Sequence, residues 1–434
     1  MNVESGRELA VAATFAAGDG ALSADDEAAS FMHAVQFAQG SAWAPATQHG
    51  TAWLVPCAAG CRVRYQFALQ DAADALHDAD TAMASGKVLL APPSTWLLHP
   101  GSAPKNAQFE LHVEPGPGAY FVTAFQPAAG RANTYRAATS VLDDASFSAF
   151  GALHVAQVPA GDGSVLLGIA PEGLGLTDAQ AQAWVSASAG AVAQYYQGHL
   201  PARRTLVLLI KGSGDNTRGE TLGGGGPAVL VRASDLVNPN TTRDDWVLTH
   251  ELLHANFPDV GREHAWLSEG LATYLEPVAR ARVGQVSDTK FWRDLIDGLP
   301  QGLPEAGDQG LEHTRTWGRT YWGGALFCLM VDITLREKTG NRHSLDDVLL
   351  AIGKTGATDD VYWDIQQVLD AGDRATGTSV LHDEYQQLAE KPGNVDLSNL
   401  FARLGVRAQG DTVVFDDSAP LAKVRRSITA HSPG

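Results

Sequence analysis

At 434 residues, 44% hydrophobic and 18% charged, the chain is long enough for two or three domains and too apolar for a disordered one. Its 31 Lys+Arg against 49 Asp+Glu leave a net charge of −18 with no basic run, which argues against a nucleic-acid backbone or an anionic membrane as partner. The densest apolar runs, such as TLVLLI at 205–210, fall far short of the roughly 20 residues a bilayer span needs. The opening MNVESGRELAVAATF carries an acid early and alternates like a strand, unlike a signal peptide. The expected compartment is the cytoplasm, or the exterior with a signal removed upstream. From residue 1 to about 155, short alternating runs (ELAVAATF, RVRYQFAL, QFELHVEP, AYFVTAF) broken by Gly, Pro, Asn and Asp predict a β-sandwich. Within it, Cys57 and Cys61 are close enough for a small disulfide loop. The expectation for these two and for Cys328 is nevertheless three small buried hydrophobes.

Beyond 155 the pattern changes. SVLLGIAP reads as a strand, and TDAQAQAW opens a helix with a Thr177/Gln180 capping box. RTLVLLI and AVLVR are strands flanking a glycine-rich loop. From 244 onward helices dominate, predicted at 244–256 and 266–282 with a short loop containing Pro258 and Gly261 between them. Ser287 caps a third, 317–338 forms a fourth, and Ser344 opens another in SLDD. Helical patterns continue to about 405, and DTVVFDD is a late strand. The fold class is therefore α+β, divided as 1–155, a catalytic region over 156–343, and a mainly helical region over 344–434.

The chemistry concentrates in THELLHANFPDVGREHAWLSEGLATYLE, 249–276. His250 and His254 are four apart, one turn apart on one helix face, where a tetrahedral zinc takes a nitrogen from each. Glu251 points beside such a metal and is placed to take a proton from a metal-activated water. A catalytic zinc needs a third protein ligand. A metzincin would need Gly at 257 and His at 260, where this chain has Phe257 and Val260. Glu269, in the next helix, is the expected third ligand, since a short reversal returns it over the histidines. His264, read as part of a solvated polar turn, and Glu276, read as a solvated or ion-paired carboxylate, are the reserve candidates.

HELLH followed by WLSEGLATYLE resembles the gluzincin metallopeptidases, in particular the aminopeptidase-N-like and glycyl-aminopeptidase-like branches, where a W-x-x-E-G segment supplies the glutamate ligand. The resemblance implies a thermolysin-like catalytic domain, one Zn2+ per chain on His250, His254 and Glu269, and a peptide substrate. A second similarity runs through RTYWGGALFCLMVDITLREKTGNRHSLDDVLLAIG, 319–353. By that resemblance the Tyr321 hydroxyl bonds the oxyanion of the tetrahedral intermediate, a role suited to a neutral donor in a desolvated cleft. The relatives carry Lys where this chain has Gly323. A third similarity is GETLGGGGPAVLVR, 219–232, which matches a glycine-rich edge that binds substrate backbone. It makes Gly223, Gly224, Gly225 and Gly226 the expected substrate-binding residues. The glutamate that grips the substrate amino terminus in the relatives is absent, with Gly226 and Pro227 about where it should stand.

The sequence is thus read as a zinc-dependent peptidase, an aminopeptidase by resemblance, losing activity on acidification as the histidines protonate. An endopeptidase or amidase using the same site, and a catalytically silent peptide-binding protein, remain as alternatives. The glycine-rich KGSGDNTRG and GGGGP segments lack the G-K-[ST] of a phosphate loop.

Overall fold

Strands dominate the regular structure up to Ala233, and helices dominate it in the remainder. The computed structural model describes residues 2–4, 7–16, 20–101, 107–214, 216–234 and 236–430. Met1 and Asp215, which belong to stretches interpreted from the sequence, lie outside them. Two compact units form. The first comprises Met1–Val158, Val165–Gln182 and Arg204–Asn238, and the second Pro159–Ser164, Ala183–Arg203 and Pro239–Gly434.

In the first unit, the strands up to Gly151 fall among the described residues into four small sheets of five, four, four and three strands, finer than the single sandwich expected. Many of these strands are only two to five residues long, because Gly and Pro interrupt the runs. One buried cluster draws Leu9, Val63, Phe67, Trp96, Phe121 and Phe150 together. Cys57 and Cys61 are joined in a disulfide with their Cα atoms 4.8 Å apart, against the expectation of free thiols. Their spacing permits the bond because the intervening Ala58–Gly60 turn closes on itself, Gly60 N–H donating to Cys57 O at 2.9 Å. Cys328 is free and buried, as expected.

Three strands of a mixed sheet complete this unit: β1 (Arg204–Lys211), β2 (Arg218–Leu222) and β3 (Ala228–Ala233). β1 and β3 run parallel and are buried almost throughout, as continuous apolar runs require. β2 pairs antiparallel with β3 and lies at the sheet edge. Helix α1 (Asp178–Tyr195) opens with the expected capping box, Thr177 N–H donating to Gln180 Oε1 at 2.9 Å and Gln180 N–H to Thr177 Oγ1 at 3.4 Å.

The second unit is built on α2 (Val247–Ala255), α3 (Ala265–Arg282), α4 (Asp288–Gly298), α5 (Gly324–Thr339), α6 (Leu345–Gly353) and α7 (Ile365–Thr376). Ser287 caps α4 by accepting from Lys290 N–H at 3.2 Å, and Ser344 and Asp347 form a capping box on α6. The late strand is Thr412–Phe415, paired with Val406–Gln409.

The division expected at 343/344 does not occur, and the physical reason is a buried charge network. Asp332 on α5 accepts from Arg336 Nε at 2.9 Å, from the Tyr274 hydroxyl at 2.8 Å and from Leu345 N–H at 3.0 Å. Arg282 on α3 reaches Asp346 at 2.9 Å and the Ile428 carbonyl at 3.0 Å. Separating residues 344–434 from the preceding helices would break the Arg282–Asp346 pair and the bonds from Arg282 to the Ile428 carbonyl and from Leu345 to Asp332. The division expected at 155/156 also moves, since β1–β3 belong with the strands before them.

Candidate metal centre

α2 presents Leu248, Leu252 and Leu253 to the core on the turns that also carry His250 and His254, so burying the apolar face fixes the direction of the imidazoles. Asp245 Oδ1 accepts from Leu248 N–H at 3.3 Å at the start of the helix. After His254 the chain reverses through Gly261, whose φ of 79° lies where a side chain is strained. Asp259 Oδ1 accepts from Gly261 N–H at 2.8 Å and closes the turn. His264 Nδ1 pairs with Glu312 at 2.8 Å, with both side chains largely buried. His264 is therefore a tie that holds the reversal, neither a solvated turn residue nor a member of the metal cluster.

The reversal sets Glu269, in the second turn of α3, over the two histidines. His250 Nε2 lies 3.1 Å from Glu269 Oε2 and 3.1 Å from His254 Nε2, and His254 Nε2 lies 3.4 Å from Glu269 Oε2. Zinc bonds of roughly 2.0–2.2 Å in a tetrahedron imply ligand-to-ligand edges of about 3.3–3.6 Å. The triangle matches one face of such a tetrahedron, and among the described residues these three form the cluster able to hold a metal. The orientation of His254 agrees with this, since Ser268 Oγ meets its Nδ1 at 3.0 Å and Nε2 is the nitrogen turned toward Glu269. His250 Nδ1 is buried without a hydrogen-bond partner among the described residues.

The protein's own charges hold the cluster together without a metal. Burial works to lower the His254 pKa, but the hydrogen bond and charge of Glu269, with the charges of Glu251 and Asp359, lift it to about 9. Burial works to raise the Glu269 pKa, and its bonds to His250 and His254 hold it well below the usual carboxylate range instead. Tyr321 belongs to the same field. Burial and then the charges of Glu269 and Glu251 push its hydroxyl up to about 12, so it stays protonated. It sits in a single π-helical turn, Arg319–Gly323, immediately before α5. Asp359, in the loop after α6, is pushed up to about 7 by burial, against the pull of His254 and with added repulsion from Asp259, Asp360 and Glu251.

Glu276, the other reserve ligand, points elsewhere. It is buried against Arg280 at 2.7 Å, and burial raises its pKa to about 7 despite that cation. Gly223–Gly226 lie in the first unit, in the turn joining β2 to β3, and within the expected 219–232 stretch the edge strand is Arg218–Leu222. Gly224, Gly225 and Gly226 all have positive φ, and a Cβ on them would strike Asp144 O, the Phe125 ring and Ala124 O respectively. Their glycine character is thus required by packing within their own unit. Ser268, Trp246 and Trp317 were not singled out from sequence. Trp246 packs edge-to-face on His250 at 5.4 Å and Trp317 lies against Tyr321 at 5.6 Å. The sequence signal for the first was its position four residues before His250.

No family model matches the sequence. No curated protein matches it either. Solved structures do. An aminopeptidase N family protein from Idiomarina loihiensis superposes with a TM-score of 0.71 at 16% identity, covering 94% of this chain and 78% of that one. An M1 zinc metallopeptidase from Deinococcus radiodurans gives 0.50 at 15% identity, covering 89% and 90%. A variant of the latter, solved with a Tyr-Ser-Ala substrate, gives 0.50 at 16% identity over 89% and 90%. The chain thus has an α+β fold shared with aminopeptidase-N-like zinc metallopeptidases.

Proposed function

We propose that the protein is a zinc-dependent peptidase acting on peptides with a free amino terminus. The observation that supports this most is the His250–His254–Glu269 triangle, sized for a tetrahedral zinc, with Tyr321 and Glu251 in the same electrostatic field. Bound there, zinc would supply Lewis-acid polarisation of the scissile carbonyl and of the attacking water. The Glu251 carboxylate takes the proton from that water and returns it to the leaving nitrogen. The Tyr321 O–H, protonated at any working pH, donates to the oxyanion as charge develops. Ser268 keeps the His254 ring in its ligand tautomer. The peptide held by the Deinococcus radiodurans variant supports a peptide as substrate.

One observation favours a second reading, an endopeptidase or amidase. Glu220, on the strand that leads into the glycine turn, already pairs with Arg232 at 3.2 Å, so it is not free to replace the missing amine-gripping glutamate. The deciding experiment combines elemental analysis with hydrolysis of paired free and acetylated peptides. The expected result is about one zinc per wild-type chain, lost in Glu269→Ala. Glu251→Gln should keep the zinc and lose roughly 10²–10⁴-fold in kcat. No zinc in the wild type after reconstitution sinks the proposal, and cleavage of acetylated peptides as fast as free ones transfers it to the second reading.

A further inference from the structure

Two buried charges stand upstream of Tyr321 and take no part in the chemistry above. Arg319 and Asp308 expose only 6% and 2% of their side chains, with Arg319 Nε 2.9 Å from Asp308 Oδ2. Arg319 Nη2 donates to Asp308 Oδ1 at 3.3 Å, and Arg319 Nη1 donates to the Gly302 carbonyl. Asp308 Oδ1 also accepts from Gly310 N–H at 2.8 Å. Taking two charges out of water is costly, and a buried pair often stabilises a fold no better than apolar side chains of the same volume. What this pair supplies is direction, since it joins the first residue of the π-helical turn to two segments outside the turn.

The turn needs such a hold. Gly324 N–H donates to the Arg319 carbonyl, five residues back, where an unbroken α-helix would bond Thr320. One residue is thus inserted ahead of α5. Successive residues of an α-helix lie about 100° apart around its axis, so the insertion turns the side chains ahead of α5 by about that angle. Helix α5 cannot rotate to compensate, because Gly324 already meets the Trp266 carbonyl of α3. On the other side, a Cβ on Gly302 would strike the Trp322–Gly323 backbone, and one on Gly318 would strike the Gln301 carbonyl. The Leu299–Gly302 turn therefore lies backbone to backbone against the π-helical turn, and Arg319 fastens the two.

We infer that Asp308 and Arg319 are positioning residues for the reaction: their ion pair holds the π-helical turn, and the turn aims the Tyr321 hydroxyl at the metal cluster. The inference rests on the peptidase reading for the use made of Tyr321, and goes beyond it in naming what sets the direction of that hydroxyl. Both residues act through Tyr321.

The test compares four zinc-loaded full chains on one unblocked tripeptide: wild type, Tyr321→Phe, the paired substitution Asp308→Asn with Arg319→Met, and all three changes together. The paired substitution removes both charges at once, so neither is left buried without its partner. Zinc content and melting temperature are recorded for each chain. Tyr321→Phe should lower kcat about 10²–10³-fold, the loss typical of one oxyanion donor. The paired variant should lower kcat at least tenfold with KM changed less than twofold, and the triple variant should be no slower than Tyr321→Phe. Arg319→Lys keeps the charge but cannot reach Gly302 and Asp308 together. It should show a smaller kcat loss with the same dependence on Tyr321, and it replaces the paired variant if that chain does not fold. A crystal structure of the variant supplies a readout without turnover, in which Gly324 N–H should bond the Thr320 carbonyl and Tyr321 should turn away from Glu269. An unmoved turn, wild-type kcat in the variant, or a loss that multiplies with that of Tyr321→Phe overturns the inference. A relaxed turn in a protein whose wild type cleaves no peptide would keep the hold on Tyr321 and remove the peptidase reading.

Discussion

At the scale of single residues, the two histidines of the cluster are each met by a residue outside it, His254 by Ser268 and His250 by Trp246. Ser268 is the clearest case, since its hydroxyl accepts from His254 Nδ1 and fixes which nitrogen faces Glu269. Ser268→Ala removes that acceptor while leaving the α3 backbone in place. Zinc affinity should fall about 10–100-fold, read by competition with a chromogenic chelator, with the melting curve of the metal-free protein little changed. An unchanged affinity would show that packing alone orients the ring. A pH effect arises from the same cluster. In the metal-free protein the His254 pKa is raised to about 9, above its ordinary value, so the pair's stabilisation is complete below about 6.5 and lost as pH rises through about 9. Glu269 is depressed, so its share is present above its ordinary range and lost as pH falls through its lowered value. Zinc needs the neutral imidazole and must displace that proton. Its apparent affinity should therefore climb with pH between about 6.5 and 9 and level off above, and a flat profile over that window would contradict the assignment. The grouping of His250, His254 and Glu269 was legible in sequence, the histidines because a helix turns spacing into direction and Glu269 because a short reversal precedes it. The His264–Glu312 tie was not, because its partners are far apart in the chain and meet only through the fold. Ser268 was hidden for a different reason, since a serine in a helix carries no signal of what it bonds.

At the scale of elements, the position of Glu269 depends on how closely α3 crosses the start of α5. A Cβ on Gly270 would collide with the Gly324 backbone, and one on Gly324 would collide with the Trp266 carbonyl. The two helices touch backbone to backbone at the residue directly after the third ligand. This gives the glycine of the W-L-S-E-G run a physical reason, since any side chain would push α3 away from α5 and shift Glu269 with it. Gly270→Ala should destabilise the protein by at least about 2 kcal/mol in urea unfolding and lower zinc occupancy, because a backbone neighbour cannot swing aside. Gly190→Ala on α1 is the matched control: a Cβ there meets nothing within 4 Å, and the change should be neutral or stabilising by up to about 1 kcal/mol. Equal losses in both variants would refute the crossing as the cause. The helices themselves were legible from capping signals and periodicity. The π turn that carries Tyr321 was not, because it interrupts what sequence shows as one continuous helix from 317 to 338.

At the scale of the whole molecule, the α+β character was legible from where alternating runs give way to helical ones, but the division into units was not. Composition sees strands and helices, whereas the grouping comes from long-range pairings such as Arg282 with Asp346 and with the Ile428 carbonyl. His250, Glu251, His254, Glu269 and Tyr321 all belong to the second unit. A metal that binds only the folded site adds stability by mass action, about 4 kcal/mol at a free concentration a thousand times its Kd. That stabilisation acts on the segments joined by the ligands. Hydrogen exchange measured by mass spectrometry, with zinc and with chelator, should therefore show slower exchange on zinc across Val247–Ala255 and Ala265–Arg282. The paired strands Glu8–Phe15 and Cys61–Phe67 of the first unit should exchange at the same rate in both conditions. Protection rising equally in both units would mean that the chain opens as one cooperative block, and the division would then describe contacts without describing stability. Protection rising in neither would mean that zinc does not bind at His250, His254 and Glu269, and the reading of the site would fall with it.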